Sequence, residues 1–124
     1  MELSRKQIND LITGVLLSAE ISSSSRDLRH FVSVRGYVET ERGKEMLDRF
    51  INENKIETTV FLIMDYEVPK EYIENDWEIP DNKIINGIFI EGIVGIENVQ
   101  KELKEHIPDL SLLEPHWKCD APLG

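Results

Sequence analysis

The sequence predicts an α+β fold: N-terminal helices followed by a small antiparallel sheet, with a C-terminal helix packed on it. Three observations carry this expectation. Apolar residues recur at helical spacing near the start, at Ile8, Leu11, Ile12, Val15, Leu16 and Ala19. Two short runs rich in β-branched residues, TTVFLIM (58–64) and IINGIFIEG (84–92), read as strands. The stretch IENVQKELKEHI (96–107) is amphipathic, with Ile96, Val99, Leu103 and Ile107 inward and Lys101, Glu102, Lys104 and Glu105 outward.

The first helix starts with a capping-box pattern, Ser4 and Gln7 in S-R-K-Q, and is expected to run from about Arg5 to Glu20. The serines at 22–25 end it. Residues 26–38, RDLRHFVSVRGYV, fit two templates: Leu28, Phe31 and Val32 suit a helix, while Val32, Val34 and Val38 alternate. A short helix followed by a turn at Gly36 is expected. Thr40 then caps an expected helix over 41–54, with Met46, Leu47, Phe50 and Ile51 on one face. After the first strand, Pro69 suits the first turn of a short helix, KEYIEND. PDNK (80–83) is a turn before the second strand, in which Gly87 marks a bulge or a close approach. The prolines of 108–124 predict a loosely structured tail, partly packed through Leu110, Leu112, Leu113 and Trp117. A chain of 124 residues suits a single domain over 1–124.

Charge narrows the function. The formal net charge is −10. Residues 1–60 hold ten acids against nine Lys/Arg, whereas 61–124 hold fourteen against five. Such an excess argues against holding phosphates directly, so neither nucleic acid nor an anionic membrane is an expected partner. The run IINGIFIEGIVGI (84–96) is too short to span a bilayer. Arg5, Lys6 and the apolar residues 11–19 imitate a secretory leader, but Glu2 and Asp10 interrupt it and Leu17 is too large for the cleavage rule. The one cysteine, Cys119, excludes an internal disulfide, and a cytoplasmic location is expected.

No catalytic signature stands in the chain. The nucleophile-elbow, phosphate-loop, zinc-protease and dinucleotide patterns are missing. GIVGIEN (92–98) sets two glycines before a helix but lacks the cation a phosphate needs. His116-x-x-Cys119-Asp120 supplies half a zinc site, without a second ligand pair. His30 and His106 stand alone on expected helices. The carboxylates near Asp81 do not keep calcium-loop spacing. No metal and no cofactor is expected, and the chain reads as a binding protein, not an enzyme.

The segment DYEVPKEYIENDWEIPD (65–81) holds seven carboxylates and one lysine among seventeen residues, interleaved with Tyr66, Tyr72 and Trp77. Carboxylates steer a basic partner, and Tyr or Trp anchors it by burying area with few rotatable bonds. Asp65, Glu67, Glu71, Glu74, Asp76 and Glu78 are the expected charged contacts, with Tyr72 and Trp77 as anchors.

In character, this acidic–aromatic run, the strand pair TTVFLIM and IINGIFIEG, and the end EPHWKCDAPLG resemble the immunity proteins of bacterial contact-dependent growth inhibition. That resemblance implies a one-to-one complex with a basic toxin domain, of nuclease type, whose nucleic-acid site is covered. The alternative is a small acidic adaptor or regulatory subunit for another basic protein.

Overall fold

The computed structural model describes residues 2–40, 43–46 and 59–123. Its class is α+β, with the order α1 (Arg5–Ile12), β1 (Leu17–Ile21), β2 (Leu28–Thr40), β3 (Gly43–Met46), β4 (Val60–Pro69), α2 (Lys70–Glu74), β5 (Ile85–Val94), α3 (Ile96–Lys104) and β6 (Glu114–Pro115). Among the described residues the strands form one antiparallel sheet in the order β5-β4-β2-β1-β6. β2 is its spine. One edge pairs with β4 from Leu28 to Tyr37; the other pairs with β1 through His30–Val34 and with β3 through Tyr37–Thr40.

Three expectations change here. α1 keeps its capping box, with the Ser4 side chain accepting from Gln7 N and Gln7 Oε1 accepting from Ser4 N, but it stops at Ile12. The Thr13 hydroxyl donates to the carbonyls of Asn9 and Asp10, and Gly14 turns the chain at φ 90°. Leu17 and Ala19, read as helical, are buried in β1 instead. Residues 28–40 are strand, not helix and turn. Val32 and Val34 fill one side of β2 and Phe31 the other, so a strand buried on both faces shows no clean alternation. Gly43–Met46 is likewise strand; the remainder of the helix expected over 41–54 lies outside the described residues.

The sheet sets two environments. On one face, Leu17, Ala19, Val32, Val34, Phe61 and Ile63 pack with Leu11 of α1, Val99 and Leu103 of α3, and Ile107, Leu110 and Leu113 beyond it. Gly36 allows α1 to lie directly on β2: an added Cβ would stand 2.5 Å from the Leu11 carbonyl oxygen. Gln7 Nε2 donates to the carbonyls of Leu110 (2.9 Å) and Leu113 (3.0 Å), tying the C-terminal segment to α1. On the opposite face, Phe31, Tyr66 and Val68 are covered by Ile73, Ile79 and Ile84, and by Cys119, Ala121 and Leu123. The segment after 108 is therefore built into the fold at Leu110 and Leu113, while Leu112 and Trp117 stay 45% and 65% exposed.

Candidate functional site

β4 runs on through the first third of the acidic segment, which divides the residues expected to meet a partner. Asp65 and Glu67 continue the row of Phe61 and Ile63 and point into the interior, 8% and 3% exposed. They do not belong to the surface. Glu67 Oε2 accepts from Ser24 N (2.6 Å), and Oε1 accepts from the Ser24 hydroxyl (3.0 Å) and Asn86 Nδ2 (2.7 Å). Burial pushes this carboxyl up, but those three hydrogen bonds outweigh it and hold Glu67 below its ordinary value.

Asp65 sits between two histidines that the sequence did not pair. One carboxylate oxygen meets His30 Nε2, and the other meets His106 Nδ1 at 2.6 Å. His106 Nε2 faces Glu102 Oε2 at 3.0 Å, and His30 Nδ1 faces the Ser22 carbonyl at 3.2 Å. The chain Ser22–His30–Asp65–His106–Glu102 thus joins β2, β4 and α3. Burial lowers the His106 pKa, but the hydrogen bonds from its ring to Asp65 and Glu102 win and raise it. An ionised carboxylate only accepts, so a ring flanked by two of them is satisfied when both nitrogens carry protons. Every ring nitrogen of the pair is engaged, which leaves none to act on a substrate.

The rest of the acidic segment stays outside. α2 begins after Pro69 and projects Glu71 and Glu74 into solvent, beside a hollow shared with Asp27 and Lys70. The backbone then reverses at Asp76, φ 54°, and Trp77 stands 53% exposed with its ring edge-on to Tyr72 at 5.5 Å. Tyr72, Asp76, Trp77 and Glu78 form one wall of a cleft of about 590 Å³, and the segment from His116 to Leu123 forms the other. Two motifs that look unrelated in sequence therefore converge.

The second wall is held from behind. Arg29 donates through Nε and Nη2 to Glu20 (2.7 and 2.6 Å) and through Nη2 to Asp120 (2.9 Å), with its guanidinium 5.4 Å from the Phe31 ring centre. Leu123 N donates to the Tyr66 hydroxyl at 3.2 Å; burial pushes that phenol up to about 12. Burial also raises the Cys119 thiol, and the nearby carboxylates Glu114, Glu20 and Asp120 add to the effect. Cys119 is thus a poor nucleophile. His116 Nδ1 is enclosed without a hydrogen-bond partner, and the ring stands edge-on to Trp117 at 5.5 Å.

Among the described residues no Lys or Arg lines the cleft, whereas Asp76, Glu78 and Asp120 do. Asp120 already has Arg29; Asp76 and Glu78 have no cationic partner among the described residues. No set of three or more His, Cys, Asp or Glu among the described residues is arranged to hold a metal ion. No helix among them is long and apolar enough to cross a membrane. Comparison with protein-family models, curated proteins and solved structures returned no match.

Proposed function

We propose that this chain is a cytoplasmic immunity protein that captures a basic toxin domain, of nuclease type, in a one-to-one complex and keeps it from nucleic acid. One observation carries the reading: Trp77 stands half out of the protein beside Asp76 and Glu78, at a cleft that no Lys or Arg among the described residues lines. A folded chain that leaves a large indole in water next to uncompensated carboxylates gains from a partner that buries the one and neutralises the other. A nuclease presents Lys and Arg to phosphates, so the same carboxylates compete with its substrate for those cations. The occupied ring nitrogens of His30 and His106, and the protonated thiol of Cys119, favour binding over catalysis.

The test is growth rescue in cells producing the toxic domain encoded beside this chain, followed by titration of the purified pair at about 50 and 200 mM salt. Rescue with tight binding that weakens at the higher salt is expected. Failure to rescue, with no binding at either salt, would remove the reading. Tight binding to a basic protein that is not a toxin would favour the adaptor instead.

A further inference from the structure

We propose that the cleft between the Tyr72–Glu78 segment and the His116–Leu123 segment is a receptor for one arginine side chain of the partner. This rests on the reading that the partner is basic and specifies what that partner must insert. Two features select a guanidinium over other cations.

The first is the aromatic corner. Tyr72 and Trp77 meet edge to face at 5.5 Å, and Trp77 keeps over half its surface open. A planar cation stacks on an indole and is weakly hydrated, so it gives up little water in doing so; a compact ammonium gives up more. The second is the placement of charge. Asp76 and Glu78 flank Trp77 in sequence and line the cleft with it, while Asp120 closes the opposite side. Carboxylates on two walls suit a fork of N–H donors pointing in several directions. Arg29 shows the same pairing within the chain, holding Asp120 and Glu20 while lying over Phe31.

The exposed apolar residues of β5 make a weaker surface. Ile88, Phe89 and Val94 are about half exposed on the outermost strand, but bulges accompany the positive φ of Asn86 and Gly92. Bulges at both ends leave little straight edge for a partner strand.

The experiment uses the full chain with Trp117→Phe, which leaves Trp77 as the one indole of the two in the sequence. Its fluorescence is followed while L-arginine amide, and separately L-lysine amide, is added at matched ionic strength. A saturable change with arginine amide is expected, with binding about tenfold weaker for lysine amide, the factor that one stacked and forked contact supplies. The change should be lost in Asp76→Asn/Glu78→Gln, whose exposed positions leave folding intact by circular dichroism. No saturable change, or equal binding of the two amides, overturns the arginine cleft. A basic partner that still binds Trp77→Ala as tightly as the parent also overturns it, while leaving the basic-partner reading standing. Arginine binding without any basic protein partner does the reverse.

Discussion

His106→Gln should remove one group's share of the protein's pH-dependent stability over the neutral range. The side chain is 9% exposed, and its stronger contact is to Asp65, whose side chain is 11% exposed, at 2.6 Å. A hydrogen bond to a charged group in such a setting contributes about 1.5–3 kcal/mol. The second contact reaches Glu102, which is 37% exposed, so water and salt discount it to about 0–1 kcal/mol. Glutamine keeps the capacity for a neutral bond of about 1 kcal/mol, so the variant should lose about 2 kcal/mol in mild acid.

The sign of the pH effect follows from the direction of the shift. His106 titrates higher in the folded protein than its ordinary 6.5, so its contribution is complete below 6.5 and is lost as pH rises through the folded value. One proton limits the slope to about 1.4 kcal/mol per pH unit. Asp65 and Glu102 face the ring, His30 shares Asp65 with it, and Glu67 lies beside His30, so all four are kept in the variant. Urea unfolding followed by circular dichroism, at about pH 5.5 and 9, gives the two free energies with a common m value. A gap of about 2 kcal/mol in acid that narrows to under about 1 kcal/mol in base is expected. An equal gap at both values would mean that the ring is neutral in the native protein, and the proton count given for this network would be wrong.

Glu67→Gln places an amide N–H where Ser24 and Asn86 already donate, and should cost about 2 kcal/mol by urea unfolding near neutrality. Because Glu67 titrates below 4.5 when folded, its contribution is present above 4.5 and lost as pH falls; the variant should show a flatter acid limb. Gly36→Ala drives a Cβ to 2.5 Å from the Leu11 carbonyl oxygen and 2.8 Å from Thr59 Cγ2, and a loss of about 1–3 kcal/mol is expected from the thermal midpoint. Ser18 and Ser33 share a buried hydroxyl contact of 2.7 Å; either alanine alone should cost about 1–2 kcal/mol, and the pair less than the sum in a double-mutant cycle.

Local rules found what is decided locally. The Ser4–Gln7 box, the turn at 80–83, the strand near 84–92 and the inward face of α3 are each fixed by residues a few positions apart. β4 was legible to Met64 and then lost, because Asp65 and Glu67 read as solvated charge. Their partners lie 19, 35, 41 and 43 residues away, separations no periodicity spans. The same blindness hid β1 and β2, where burial on both faces erases alternation. For the candidate site, Tyr72, Asp76, Trp77 and Glu78 were legible from composition. The opposite wall was not: Asp120 is fixed by Arg29, 91 residues earlier.

That separation has a meaning in time. A ribosome adding about 5–20 residues per second delivers Asp120 roughly 5–20 s after Arg29, a span of 91 residues. During that interval the sheet can pair β1, β2 and β4, yet Phe31, Tyr66 and Val68 lack the Cys119–Leu123 strap that covers them. Until then the patch is only part-covered, by Ile73, Ile79 and Ile84. The cleft likewise does not exist until its second wall has been made.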